Sequence, residues 1–132
     1  MRYEQIHRFI PITLFLLALS ISSENSFVYA QTQFERRPIT NEAWLEPFPP
    51  VRIIGNLYHV GTNNLASYLI TTPEGHILVN TGAYDSAELI RANIEELGFV
   101  FEDIKILLTQ QAHWDHVADL AAIKRTTGAR ML

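Results

Sequence analysis

Cysteine is absent from all 132 residues. Its absence removes disulfide frameworks, thiolate zinc fingers and cysteine nucleophiles together. Positive charge is also short, with 10 Lys and Arg against 14 Asp and Glu and a net charge of −4. A pI near 5.7 does not suit a protein held on nucleic acid by phosphate contacts, so no nucleic-acid partner is expected. The longest uncharged apolar run, FIPITLFLLALSI at residues 9–21, would reach only about 20 Å as a helix. That falls short of the ~30 Å hydrocarbon core of a bilayer. What is plentiful is apolar side chain, at 48% of residues, which is normal for a globular chain and too much for a disordered one.

Part of that apolar content belongs to the N-terminus. Residues 1–30 read as a signal peptide: a weakly basic start with Arg2, His7 and Arg8, then the apolar run, then a polar stretch and Val28-Tyr29-Ala30. Ala30 supplies the small residue at a cleavage position and Val28 suits the position two before it, so cleavage is expected between Ala30 and Gln31. A periplasmic or secreted protein is the expectation, with no stable membrane anchor after cleavage and no cysteine for lipid attachment. A buried helix or a retained anchor is the alternative reading of the same residues.

Residues 31–132 are enough for one small domain with a single core, and nothing in them suggests a repeat. Residues 31–50 are polar and end in EPFPP, which favours an extended lead-in. Residues 51–61 (VRIIGNLYHVG) predict two short strands around a Gly55-Asn56 turn. Residues 65–71 predict another strand, Thr72 to Gly75 a turn, and HILVN at 76–80 a buried strand.

The period then changes. Asp85 with Glu88 three residues on predicts a capped helix start; Leu89, Ile90, Ile94 and Leu97 form its apolar stripe, and Gly98 stops it. Residues 104–109 (IKILLT) predict a strand, 117–127 a helix ended by Gly128, and 129–132 the start of one more strand. Strands alternating with helices imply an α/β layer with crossover connections. The final strand looks interrupted, so the sequence is expected to cover part of a larger domain.

Between the 104–109 strand and the last helix lies Gln110-Gln111-Ala112-His113-Trp114-Asp115-His116. Three good zinc-ligand side chains fall within four residues at the mouth of a strand. In an extended stretch residues 111, 113 and 115 project to one side, whereas Asp115 and His116 as neighbours point apart. Two metal ions roughly 3.5–4 Å apart could share such a set where one could not. The plainer alternative makes Asp115 a helix cap and the two histidines ordinary loop residues.

ILLTQQAHWDH resembles the His-x-His-x-Asp-His element of the metallo-β-lactamase superfamily, with Gln111 where the first His usually stands. PFPPVRIIGNLYHVGT, SYLITTPEGHILVNTG and the helix from Asp85 extend the resemblance. Together they are similar to the N-terminal half of the third subclass of zinc β-lactamases, nearest the branch carrying Gln at the first ligand position. The resemblance implies an αββα sandwich, of which this chain covers about the N-terminal half, with residues 31–132 forming that part. It implies that Gln111 and His113 belong to a first metal site and Asp115 and His116 to a second. One further His for each site is expected from the other half of the chain. The implied reaction is hydrolysis of the β-lactam ring by a metal-bound hydroxide that Asp115 helps orient, with one or two Zn2+ ions as cofactor. A β-lactam is thus the expected small-molecule partner, and the protein is expected to be monomeric.

A neutral amide oxygen binds zinc more weakly than an imidazole, so Gln111 predicts a poorer first site and a single ion in the second. This part of the chain alone is expected to be inactive and, with one sheet face uncovered, poorly soluble. An exported lactonase or thioesterase of the same fold, or a non-catalytic zinc-binding protein, are the alternatives. Around the motif, Asn80 supports the metal loop or merely closes a turn, and Asp119 is either a solvated helix residue or one that perturbs the metal loop. His59 and His76 are expected at the surface or in turns. Trp44 and Phe48 either pack on the sheet or line a cleft, while Trp114 shapes the pocket or anchors its loop.

Overall fold

The structure is a computed structural model that describes Arg36 and residues 38–132. The expected signal peptide and its cleavage point lie outside the described residues. Six strands form one mixed sheet in sequence order: β1 (Val51–Ile54), β2 (Leu57–His59), β3 (Tyr68–Ile70), β4 (His76–Val79), β5 (Ile104–Leu108) and β6 (Arg130–Met131). The first four pair antiparallel, through the predicted Gly55-Asn56 and Thr72–Gly75 turns. The last three pair in parallel, because helices α1 (Ala87–Glu96) and α3 (Leu120–Thr127) carry the crossovers. A single helical turn, α2 (Trp114–Val117), follows β5.

Register explains where the core lies. Leu69, Leu78 and Leu107 face one another across β3, β4 and β5, and all three are fully buried. Ile90 and Ile94 of α1 and Ile123 of α3 pack with that row, joined by Val60, Phe101 and Ile104. Each such side chain taken from water contributes about 1.5–3 kcal/mol of burial free energy. The alternate residues, Tyr68, Ile70, Ile77, Val79, Ile106 and Leu108, make the other sheet face; it is apolar and only half-buried. A helix-backed sheet with an apolar second face matches one layer pair of the expected sandwich.

Several local expectations hold. α1 ends at Gly98, whose φ of 85° lets its N–H donate to Glu95 O at 2.9 Å while the Phe99 N–H donates to Ile94 O at 3.2 Å. Phe99 then folds back against Tyr58 and His76.

Other expectations change. The lead-in is not extended throughout: Glu42–Trp44 forms a 3-10 turn, begun by Asn41, whose side chain accepts from the Ala43 N–H at 3.2 Å. Residues 65–67 are not part of β3; Leu65 and Ser67 are buried in the preceding loop. The single helix expected over 117–127 is two, because α2 begins earlier, at Trp114, and the chain breaks between Val117 and Leu120. Asp85 does not cap α1 either. It adopts φ 68°, and Ser86 occupies the cap position without a side-chain hydrogen bond. His59 and His76 lie in strands β2 and β4, half-buried, each with a buried Nδ1 that has no partner. Aromatic neighbours surround them, Phe48 and Tyr68 at His59 and Phe99 at His76, so neither is a surface or turn residue.

Candidate metal centre

Open α/β sheets place ligands at the carboxyl ends of their parallel strands. Here those ends are Asn80-Thr81-Gly82 after β4 and Thr109 to His116 after β5. Asn80 is buried in the left-handed region, φ 62°, and ties the two together. Its Oδ1 accepts the Gln110 N–H at 3.1 Å, and its Nδ2 donates to Gln110 Oε1 at 3.2 Å and to Ala66 O at 3.3 Å. Asn80 therefore supports the loop as well as closing the strand.

Thr109 shapes the next step, its Oγ1 donating to Gln111 O at 2.6 Å. α2 then starts with His113 at its cap, the His116 N–H donating to His113 O at 2.9 Å. The far end of this turn is held by the β4 segment. The Thr81 N–H donates to His116 O at 2.8 Å and the Ala118 N–H to Gly82 O at 3.2 Å.

These constraints bring three of the four expected ligands together. Gln111 Nε2 lies 2.7 Å from His116 Nε2, and Asp115 Oδ2 lies 3.6 Å from the same ring nitrogen. Asp115 and His116 do not point apart, because they sit on one helical turn and not on an extended strand. Their side chains are mostly shielded, with 22% and 18% of their surface exposed, whereas Gln111 is exposed. Asp115 lies within the first turn of α2, whose cap position His113 occupies, so it is not the cap of that helix. His113 does not join the cluster. Its backbone closes the turn and its residue is exposed. Among the described residues, no three His, Asp or Glu side chains converge on one point.

The donor chemistry nonetheless fits a zinc ion. The side-chain amide of Gln111 and the Nε2 of His116 lie 2.7 Å apart, an amide and an imidazole nitrogen brought to one point. Half a turn of the Gln111 amide presents Oε1 to the same point. Asp115 adds a carboxylate oxygen 3.6 Å from the same ring nitrogen.

Trp114 stands inside the motif and anchors it by its ring. Trp44 meets it edge-on at 5.4 Å, and Tyr84 stacks on it at 5.7 Å with a 24° angle between planes. Trp44 is held in reach because the lead-in is tied down. Pro47 bridges Thr62, Asn63 bonds Glu46, and buried Asn93 on α1 donates through Nδ2 to Phe48 O at 3.2 Å. Sequence reasoning missed Thr81, Tyr84 and Asn93, which carry no motif.

Asp119 departs furthest from expectation. It is buried, with 7% of its surface exposed, and not a solvated helix residue. Its Oδ2 accepts the Ala87 N–H at 2.7 Å, at the start of α1. Burial pushes its carboxyl above the ordinary 3.8; the N–H groups of Ala87, Asp85 and Ser86 oppose that shift, and the Asp85 charge adds to it.

A mixed sheet backed by helices, with candidate ligand side chains in the loop at its carboxyl edge, is the arrangement of an α/β layer protein with its site at the strand ends. A comparison of the sequence with protein-family models finds no match. Solved structures do match. The class B3 di-zinc metallo-β-lactamase LRA-12 from an Alaskan soil metagenome is 52% identical over 74% of this chain and 37% of its own, with a TM-score of 0.72. A β-lactamase from Chitinophaga pinensis is 49% identical over the same shares, also at a TM-score of 0.72. Metallo-β-lactamase GOB-18 from Elizabethkingia meningoseptica is 48% identical over 74% of this chain and 36% of its own, again at 0.72. The chain belongs to the metallo-β-lactamase superfamily, alongside its B3 subclass. It spans a little over a third of the length of these solved relatives.

Proposed function

We propose that this chain is part of an exported zinc-dependent hydrolase that opens the β-lactam ring of antibiotics. The observation that carries the reading is the convergence of Gln111, Asp115 and His116 on a loop fastened to the ends of β4 and β5. Its likeness to enzymes named as metallo-β-lactamases supports the substrate class.

On the pattern of the family, Gln111 and His113 would hold one ion and Asp115 and His116 another, each with further protein ligands. His113 stands apart from the cluster and would have to turn to join Gln111. When bound, zinc supplies Lewis-acid polarisation of the lactam carbonyl and brings the pKa of a coordinated water toward ~7. Asp115 would present carboxylate lone pairs to a water at that point, orienting it and holding its proton. His116 is held at its backbone by Thr81, whose N–H and Oγ1 both donate to its carbonyl oxygen. Gln111 offers only a neutral amide, so an ion held there would be bound more weakly than one held by Asp115 and His116. Residues 1–30 direct export, the mature chain begins at Gln31, and the protein acts as a monomer.

The test is nitrocefin hydrolysis by the full-length protein recovered from the periplasm, with zinc, with a chelator, and with zinc restored. Turnover that the chelator abolishes and zinc restores is the expected result, together with an N-terminus at Gln31. Zinc binding without nitrocefin turnover, or turnover of lactones or thioesters instead, would overturn the β-lactamase reading.

A further inference from the structure

Asp119 stands at the cap position of α3, where an aspartate ordinarily accepts N–H groups of its own helix. It makes no such bond. Its carboxylate instead crosses to α1, 32 residues earlier in sequence, and accepts the Ala87 N–H at 2.7 Å. α1 has no cap of its own, since Ser86 Oγ is buried without a partner.

The position of this bond matters. Residues 81–87 and 116–119 run side by side, joined by Thr81 N–H to His116 O, Ala118 N–H to Gly82 O and the Gly82–Val117 bridge. Those backbone contacts fasten one end of the ligand-bearing turn. Asp119 is the next anchor along the chain, three residues beyond His116, and it fixes the turn to a rigid ten-residue helix. A charge-assisted bond from a buried carboxylate to a helix N-terminus is short, directional and favoured by the helix dipole.

We propose that Asp119 is a positioning residue for the metal centre, holding the Asp115–His116 turn in register with the start of α1. It touches neither substrate nor metal. Its effect passes through the backbone from 116 to 119, so loss of the Ala87 bond lets the two ligands on α2 drift from their common point. This rests on the zinc reading above.

The experiment uses full-length protein, wild type beside Asp119→Ala and Asp119→Asn, with Ile123→Val as a variant weakened in the core that leaves the Asp119 carboxylate and its Ala87 bond in place. Zinc dissociation is measured by competition with a chromophoric chelator, and Co2+ is substituted so that its visible absorption bands report ligand geometry. Asp119→Ala is expected to weaken zinc about ten-fold or more and to change the cobalt bands. Asp119→Asn keeps an acceptor oxygen and recovers most of the affinity. Ile123→Val lowers thermal stability with wild-type affinity and bands. If Asp119→Ala folds and matches wild type in zinc affinity and cobalt spectrum while only melting earlier, Asp119 is a structural cap and the proposal is overturned. If Asp119→Ala does not fold, Asp119→Asn decides: wild-type affinity and bands support an acceptor role. Loss of both, in a folded protein as stable as Ile123→Val, shows that an acceptor oxygen is not enough and overturns the proposed bond. Wild-type protein that binds no zinc sinks the metal reading itself, a result separate from any difference among the variants.

Discussion

The two edges of the sheet are built differently. At the edge away from the site, turns close on themselves. Thr72 Oγ1 donates to Gly75 O, Arg52 Nε to Gly55 O and the Asp103 N–H to Val100 O, each pair three residues apart. At the edge that carries the site, anchors reach across the chain: Asn80 to Gln110, Thr81 to His116, Asp119 to Ala87, and Asn93 to Phe48, separated by 30 to 45 residues. The polar groups there are buried, Asn80, Thr81, Ser86 and Asp119 among them. Local turns suffice where a chain only has to reverse. Holding ligands in place takes anchors from separate elements, since each one removes a motion that its neighbours leave free.

The largest expected effect of breaking this contrast is at Gly61. A Cβ there would collide with the backbone of Leu65 and Ser67. Gly61→Ala should therefore lower the stability of the full-length protein by about 3 kcal/mol or more in denaturant unfolding. Gly55→Ala in the far turn meets nothing within 4 Å and should lose only about 1 kcal/mol, from its positive φ. Equal losses at the two glycines would abolish the distinction between the edges.

Asn80→Ala comes next. It leaves the part-buried Gln110 N–H without its acceptor and forces a Cβ residue with no polar tip into φ 62°. A loss of about 2–3 kcal/mol is expected, along with weaker zinc binding measured by chelator competition. A drop in stability with unchanged zinc affinity would make Asn80 a strand terminator only.

The pH profile sharpens the comparison further. Burial lowers the His59 pKa below 6.5, so the fold prefers the neutral ring. The stability linked to it is complete above pH 6.5 and is lost as pH falls through the lower folded value. Asp119 works in the opposite sense. Its pKa is raised, so the fold prefers the protonated carboxyl, and stability declines as pH climbs from 3.8 through the folded value. Thermal melts against pH should lose the acid-side decline in His59→Gln and the opposing slope in Asp119→Asn. Unchanged profiles would mean that neither group titrates differently on folding.

The smallest effect belongs to the exposed cluster on α1. Arg91 pairs with Glu102 at 2.8 Å, but the two side chains are 29% and 49% exposed. Glu102→Gln should change stability by less than about 0.5 kcal/mol, and less again in high salt. A loss above 1 kcal/mol would show that this surface is more tightly coupled than its exposure suggests.

The parts read correctly from sequence share one feature: their cause is near at hand along the chain. Gly98 ends α1 because the residue after the helix must turn left-handed, and the hairpin at Gly55-Asn56 follows from the same preference. The parallel order of β4, β5 and β6 follows from helices inserted between strands. The site loop was found because ligand-type side chains cluster within it. The local candidate does not always win. Asp85 sat where a cap belongs, yet the cap came from Asp119; an unbroken helix was expected over 117–127, yet the chain breaks at 118–119, where Asp119 turns to α1.

Residue type and spacing along this chain determined the order of its elements, the face each one buries and the donor atoms available at the site. Only the tertiary structure decided that His116 lies beside Gln111 and Asp115 while His113 stands apart, and that Asp119 serves a helix 32 residues away. A backbone preference is a property of a few adjacent residues. A hydrogen bond between distant residues depends on where packing of the core leaves each N–H and each carboxylate, and no short stretch of sequence contains that information.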